Sequence, residues 1–216
     1  MTDLLWTLPD ADAPDAPVLL LAHGAGAAMD SGFMNRFSGH AAQNGLAVAR
    51  FEFAYMAKRR VDGRKRPPPR ADKLIGEFQT ALQAVLDQRK GPVLIGGKSM
   101  GGRVAAMLSG AASLPKRVTG VVCLGYPFHP PAKPDDWRLE PLENAARPVL
   151  IAQGTRDAFG GTDDLETVTL PESIRVIWME DGNHDLAPRG ASPATWDGNL
   201  ATAAREAAAF AKEIAT

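Results

Sequence analysis

Residues 93–104 read VLIGGKSMGGRV, and this stretch decides how the rest of the chain is interpreted. Residues 93–96 have the apolar composition of a buried strand, and a segment with helical periodicity begins near Met100. Between them, Gly97-Lys98-Ser99-Met100-Gly101 matches G-x-S-x-G, a pattern typical of a serine on a sharp turn between a strand and a helix. The sequence therefore predicts that Ser99 projects above the carboxyl ends of a parallel sheet, where such sheets bind ligands.

Two alternative interpretations of this stretch involve no reactive serine. Gly97-Lys98-Ser99 also resembles the end of a phosphate-binding loop, G-x-x-x-x-G-K-[ST], but its first glycine would fall on Pro92. The strand-like residues 93–95 also leave no glycine-rich loop to surround a phosphate. In the second alternative, the glycines only allow close packing of strand and helix, and Ser99 caps the helix.

Short apolar runs alternate with longer helical segments along the whole chain, which predicts an α/β fold with a mostly parallel sheet covered by helices on both faces. We expect one domain spanning residues 1–216 and no large lid. An antiparallel edge strand at residues 4–8 is also expected. The other predicted strands are residues 18–22, 46–53, 93–96, 118–124, 149–152 and 174–179, and the predicted helices are residues 32–44, 72–89, 100–110 and 194–215.

The composition excludes several classes of protein. Of 216 residues, 45% are hydrophobic and 23% charged, which excludes a disordered chain. The net charge of -1 gives no overall attraction to nucleic acid or to an anionic membrane. The single cysteine, Cys123, lies in a predicted buried strand, so we expect a core residue, no disulfide framework and no cysteine metal site. Residues 1–15 lack the features of a secretory signal, and we expect a cytoplasmic protein that needs no metal or organic cofactor.

A serine hydroxyl is a weak nucleophile, so a reactive Ser99 requires a base and an acid that orients the base. In folds with this serine turn, the chain order is serine, acid, histidine. Asp157 follows the predicted strand 149–152, and His184 follows the predicted strand 174–179. Both residues are thus expected at the same edge of the sheet as Ser99, and we predict a catalytic triad of Ser99, Asp157 and His184.

Other histidines and acids compete for these two roles. His129 lies in a proline-rich segment and His40 in a predicted helix, and both are interpreted as surface or fully hydrogen-bonded residues. Asp163 and Asp164 are typical of the first turn of a helix, where the dipole stabilises negative charge. Asp185 directly follows His184, which makes it a poor partner for that ring but leaves it able to line the site.

A tetrahedral intermediate of acyl transfer also needs hydrogen-bond donors for its oxyanion. We expect one donor to be the backbone amide of Met100, the residue after the candidate nucleophile. The other is assigned to the amide of Ala25 in the stretch His23-Gly24-Ala25-Gly26-Ala27, where the glycines permit unusual backbone angles. His23 is interpreted as a structural residue of this loop.

Two segments interrupt the alternation of strands and helices. Residues 57–73 have a net charge of +6 from eight basic and two acidic side chains, and they include three consecutive prolines. We predict that this basic segment is a loop and not a helix. Residues 125–146 form a proline-rich segment in place of an ordinary helix. Each segment is a candidate border of a binding site.

The motifs GGKSMGGR, AHGAGAAMDSGFM and RFEFAYMAKRR together resemble those of small α/β hydrolases. The chain is similar to the dienelactone-hydrolase-like branch and resembles the testis-expressed-protein-30-like predicted α/β-hydrolases. This resemblance implies a serine hydrolase of esterase type in which Ser99, Asp157 and His184 match the triad positions. Dienelactone hydrolase itself has cysteine at the nucleophile position, so the resemblance does not extend to lactone-specific chemistry.

Two hypotheses about function follow. The first is hydrolysis of an ester or thioester of a small acyl substrate, with the candidate binding residues Gly24, Lys58, Arg59, Arg60 and Arg103. Lys98 and Arg103 beside Ser99 slightly favour an anionic substrate. The second is a binding or scaffold protein that uses the basic segment as its working surface. The basic segment itself has three interpretations: a solvated loop, a subsite for an anionic substrate, or a contact for nucleic acid or an acidic protein. We expect no nucleic-acid or membrane partner, and the sequence leaves the oligomeric state open.

Overall fold

The computed structural model describes residues 3–215, and within them seven strands form one mixed sheet. Met1, Thr2 and Thr216, at the ends of the predicted domain, lie outside the described residues. The spatial order is β1-β3-β2-β4-β5-β6-β7, with β1 antiparallel to β3 and the other neighbours parallel. The predicted α/β fold and its antiparallel edge strand are thereby confirmed. The strands are β1 (Leu5–Thr7), β2 (Val18–Ala22), β3 (Ala47–Phe51), β4 (Val93–Lys98), β5 (Val118–Leu124), β6 (Val149–Gly154) and β7 (Ile174–Met179).

Helices cover both faces of the sheet, and the four predicted helices are all present. The helices are α1 (Gly32–Gln43), α2 (Ala54–Asp62), α3 (Ile75–Gln88), α4 (Met100–Ser109), α5 (Glu140–Glu143), α6 (Thr162–Leu165) and α7 (Trp196–Glu213), with a 3-10 turn at Ala71–Leu74. Helices α3 and α4 pack on one face, and α1 and α7 pack on the other. None of the helices within residues 3–215 combines the length and apolarity that a bilayer crossing requires.

The core is divided between the two faces by the alternation of side chains along each strand. In β2, Val18 and Leu20 point into one apolar layer while Leu19 and Leu21 point into the other, and all four are fully buried. Cys123 of β5 is also fully buried, as predicted, and burial raises the pKa of its thiol. A strand that is apolar on both faces fits only the interior of a covered sheet.

The prediction of a loop throughout residues 57–73 is wrong for its first part, because α2 continues to Asp62. The three prolines that suggested a loop begin at Pro67, after Gly63 has ended the helix with a left-handed φ of 69°. Charge repulsion does not prevent the helix, since Arg60 forms ion pairs with Asp30 and Glu52 from outside the segment. Residues after Gly63 form the predicted loop as far as the 3-10 turn.

The carboxyl ends of β2, β4, β6 and β7 lie at one edge of the sheet because these strands are parallel. The loops that follow them contain Ala25, Ser99, Asp157 and His184, respectively. Residues distant in sequence are thus brought to one surface.

Candidate active site

Ser99 occupies a strained turn between β4 and α4. Its φ of 51° and ψ of -115° lie in a region that residues other than glycine rarely adopt, at a cost of about 1–3 kcal/mol. A Cβ atom on Gly97 would lie 2.4 Å from the carbonyl carbon of Gly101, so this position requires glycine. The Ser99 side chain makes no capping hydrogen bond to α4, which argues against a helix-cap role for it.

Ser99, His184 and Asp157 form a continuous hydrogen-bonded series. His184 Nε2 lies 2.8 Å from Ser99 Oγ, and His184 Nδ1 lies 3.0 and 2.9 Å from the two carboxylate oxygens of Asp157. The Asp157 side chain is fully buried, whereas the His184 ring is partly open to solvent. This geometry allows the ring to accept a proton from the serine while its other nitrogen donates to the carboxylate.

Hydrogen bonds from Gln153 and from the Phe159 amide fix the orientation of the Asp157 carboxylate. Its Nε2 donates to Asp157 Oδ2 at 2.9 Å, and the amide of Phe159 donates to Oδ1 at 2.8 Å. Gln153 is itself fully buried at the end of β6, and its Oε1 accepts a hydrogen bond from the Tyr126 amide at 2.8 Å. A buried carboxylate that accepts several hydrogen bonds stays in one rotamer.

The loop between β7 and α7 is fixed from several sides, which fixes His184 in turn. Asn199 of α7 donates from Nδ2 to the carbonyls of Glu180 and Leu186, at 3.0 and 2.9 Å. The Phe159 ring packs against the His184 ring with 4.1 Å between centroids. The histidine therefore lies on a loop whose backbone polar groups are satisfied by the body of the fold.

The loop after β2 is held by side chains that bond its carbonyl oxygens. Arg59 Nη1 donates to the Gly26 carbonyl at 3.0 Å, and the Tyr55 hydroxyl donates to the Ala25 carbonyl at 3.0 Å. His23 Nδ1 donates to the Gly24 carbonyl at 2.6 Å. Tyr55 and Arg59 both belong to α2, so this unpredicted helix positions the glycine-rich loop.

The amides of Ala25 and Met100 remain available as donors. Neither amide has a hydrogen-bond acceptor within residues 3–215. Met100 is the first residue of α4, where backbone amides have no partner in the helix itself. Ala25 lines the same cavity as Ser99, so both amides lie beside the serine.

A cavity of about 390 Å³ opens next to Ser99 and His184. Its wall is mainly apolar, with Phe33, Met34 and Phe159 as the large contributors. The cation in this wall is Lys98, a buried side chain whose Nζ lies 3.3 Å from a carboxylate oxygen of Asp185 and 5.5 Å from the Phe33 ring centre. Burial lowers the pKa of Lys98, with the Asp185 carboxylate acting in the opposite direction.

Comparison with known proteins identifies the family. The family described as "Alpha/beta hydrolase domain" matches residues 15–212, which is nearly the whole chain. The chain belongs to the α/β-hydrolase family. The fold, the strand order and the serine turn of this α/β hydrolase agree with that membership.

Solved structures of other proteins share this hydrolase's fold. A dienelactone hydrolase from Anabaena variabilis has a TM-score of 0.69 at 22% identity, with 99% of this chain and 92% of that chain covered. The esterase domain of a Rhodothermus marinus protein has a TM-score of 0.68 at 17% identity, covering 98% and 92%. An α/β serine hydrolase without lid from Xanthomonas campestris has a TM-score of 0.64 at 18% identity, covering 94% and 88%. These similarities show that the fold is a lid-less α/β-hydrolase fold.

The candidate binding residues of the hydrolase do not all reach the Ser99 cavity. Gly24 lines it, whereas Lys58, Arg59, Arg60 and Arg103 do not. Arg59 contacts the loop after β2, and Arg60 pairs with carboxylates beside α2. Arg103 faces a different cleft.

The competing histidines and acids lie outside the bonded series of Ser99, His184 and Asp157. His40 hydrogen-bonds to Gln43 and to Asp197, as expected of a satisfied histidine. His129 is buried and not at the surface as one expectation had it; its Nδ1 lies 3.2 Å from the Pro130 carbonyl oxygen, and its Nε2 lies 3.6 Å from an Asp164 carboxylate oxygen without a hydrogen bond. Asp163 and Asp164 lie in the first turn of α6 as predicted, and Asp185 lines the Ser99 cavity.

Several positioning roles were not predicted, among them those of Gln153, Tyr55 and Arg59, and Arg59 had been expected to bind substrate instead. Gln153 gave a signal, because a glutamine at the end of an apolar strand is a buried polar group that needs partners. No feature of the sequence indicated the positioning roles of Tyr55 and Arg59, since their contacts with the loop after β2 join residues about thirty positions apart.

We expect the loop after β2 to make stability depend on pH. The buried His23 ring accepts a hydrogen bond from the Phe53 amide at Nε2, and burial lowers the pKa of His23 below its usual 6.5. The unfolded chain then binds a proton at His23 more readily than the folded chain does. The contribution of the neutral His23 ring to the free energy of unfolding is therefore present above about pH 6.5 and is lost as the pH falls below it.

The test is urea unfolding at pH 7.5 and 5.5 for wild type and His23→Gln. The wild type should lose about 1 kcal/mol more than the variant on acidification, within the limit of 1.4 kcal/mol per pH unit. Carboxylates titrate lower and affect both proteins alike. Equal losses in the two proteins would contradict a neutral, buried His23.

Proposed function

We propose that this protein is a serine hydrolase that cleaves an ester or thioester of a small acyl group through Ser99, His184 and Asp157. The observation that supports this most strongly is the hydrogen-bonded series from Ser99 Oγ through the His184 ring to Asp157. Binding alone requires no such series, no strained serine and no free amides beside it.

In the proposed mechanism, His184 Nε2 takes the proton of Ser99 as Oγ attacks the acyl carbonyl carbon. Asp157 keeps the other ring nitrogen protonated and stabilises the imidazolium. The amides of Ala25 and Met100 donate to the oxyanion of the tetrahedral intermediate. Collapse breaks the bond to the leaving group, which receives the proton from His184 and departs.

The acyl group is then bonded to Ser99 Oγ, and water completes the reaction. His184 removes a proton from the water as the water oxygen attacks the acyl carbonyl. Collapse of the second tetrahedral intermediate releases the carboxylic acid and returns the proton to Ser99. Every proton is transferred by His184, and the only reactants besides the chain's own groups are the ester and one water molecule.

The size and lining of the cavity support a short acyl group. About 390 Å³ is at the lower end of the range for small-molecule sites, and the apolar wall of Phe33, Met34 and Phe159 suits an aliphatic chain. The basic segment contributes little to this cavity, because Arg60 and Arg66 are paired with carboxylates and Lys58 does not line it.

A series of p-nitrophenyl esters from acetate to dodecanoate tests this size limit. We expect kcat/KM to rise with chain length up to about six carbons and then to level off, because further methylenes would remain in water and add no binding energy. Ser99→Ala supplies the background rate for each ester. A rate that rises steadily to the dodecanoate would contradict a small acyl pocket.

A further inference from the structure

The two segments that interrupt the alternation of strands and helices meet at a second cleft. This cleft has a volume of about 470 Å³ and shares no lining residue with the Ser99 cavity. Arg70 at the end of the basic segment lines it, together with Arg103 of α4 and Arg138 of the proline-rich segment. Trp137 and Met107 provide its apolar wall. Three arginines from separate parts of the sequence therefore line one cleft.

The guanidinium of Arg103 has no hydrogen-bond or ion-pair partner in the described part of the chain. Its Nε is buried and unbonded, and no side-chain hydrogen bond or ion pair of Arg103 occurs within residues 3–215. A buried donor without an acceptor destabilises the folded state, and more so when the donor is charged. An ordinary structural arginine would instead bond a carboxylate or several carbonyl oxygens, as Arg117 does with the carbonyls of Leu86 and Gly91.

Arg138 lies close to Arg103 and is only partly buried. Its side chain has no hydrogen bond or ion pair among the described residues, although its backbone carbonyl accepts from the Tyr126 hydroxyl at 2.8 Å. Burial and the nearby Arg103 both lower the pKa of Arg138, with the Asp136 carboxylate acting in the opposite direction. The two cations repel each other, so an anion between them would relieve the repulsion and supply an acceptor for the unbonded Nε of Arg103.

The acidic side chains of this cleft lie at its rim and limit what it can bind. Asp72 is bonded to Arg70 at 3.2 Å, and Asp136 and Glu140 are exposed. With three acids against three arginines, the cleft has no net charge to attract an extended polyanion such as nucleic acid. The unpaired charge is confined to the two inner arginines, which suits a compact dianion.

We propose that this cleft binds the phosphate group of a small phosphate-bearing molecule through Arg103 and Arg138. Two guanidinium forks match the charge and the tetrahedral oxygens of a phosphate dianion. Trp137 and Met107 would contact the adjoining organic part. The proposal does not depend on the chemistry at Ser99.

Calorimetric titration with inorganic phosphate at constant ionic strength and pH 7.5 tests the site. We expect saturable binding to wild type and to the control Arg205→Met, whose arginine is exposed on α7 and pairs only with Glu206. In Arg103→Met and Arg138→Met, the dissociation constant should rise at least tenfold. Phosphate binding that is absent from the wild type, or equal in all four proteins, would overturn the proposal.

Two further measurements keep the result unambiguous. Without phosphate, Arg138→Met should melt at or above the wild-type temperature, because the change removes a partly buried charge that repels Arg103. A variant that is well folded but does not bind phosphate thus supports the site, and a variant that unfolds readily contradicts the repulsion on which it rests. Succinate should bind more weakly than phosphate, and equal or tighter binding of succinate would overturn the assignment to phosphate.

Discussion

Replacing Ser99 by alanine is expected to lower kcat for a short-chain p-nitrophenyl ester by roughly a millionfold, to the background set by the cavity and the amides alone. His184→Ala should have an effect of similar size, because the serine hydroxyl is a weak nucleophile without its base. The double variant should be no slower than either single variant, since the two residues act in one step.

The control for this series is His40→Ala. His40 lies on α1 and bonds only surface groups, so its loss should leave kcat unchanged. The measurement consists of steady-state rates for the wild type and the four variants, with circular dichroism to show that each protein is folded. Additive losses in the double variant would mean that Ser99 and His184 do not act together.

The second large effect is expected for Asp157→Asn, which should lower kcat on the order of ten-thousandfold. Asp157 accepts from His184, Gln153 and the Phe159 amide. In asparagine an NH2 group would replace one of the two carboxylate oxygens. Two of these donors would then meet another donor in place of an acceptor. His184 would then turn to the tautomer protonated at Nε2, which cannot accept the proton of Ser99.

Asp163→Asn is the matched control for that change. Asp163 is close in sequence but lies in the first turn of α6, where its carboxylate accepts from the Thr162 hydroxyl at 3.2 Å. We expect kcat to stay within twofold of wild type. If Asp163→Asn were as damaging as Asp157→Asn, the acid would have been assigned to the wrong residue.

Most of the fold could be predicted because its central strands are apolar on both faces. In β2 and β4 this leaves no solvent-facing side, so only the interior of a covered parallel sheet fits them. The convergence of Ser99, Asp157 and His184 could also be predicted, since each follows a parallel strand and such strands end at one edge.

Contacts between distant residues could not be predicted. Helix α2 was not predicted because its basic residues favoured a loop. Those charges are compatible with a helix because Asp30 and Glu52, which are distant in sequence, form ion pairs with Arg60. Arg103 was expected near the substrate because it follows Ser99 by one helical turn. Its side chain nevertheless points into a different cleft. The spacing along the sequence thus predicted the position of Arg103 on α4 but not the surroundings of its guanidinium group.

Reaction with a fluorophosphonate probe tests the central claim most directly, because the probe bonds covalently only to an activated serine in a site of this kind. We predict that wild-type protein gains one probe adduct, located on Ser99 by mass spectrometry of its peptides, and that folded Ser99→Ala gains none. An unlabelled wild type, or equal labelling of the two proteins, would contradict the proposal that Ser99 is the nucleophile of a hydrolase.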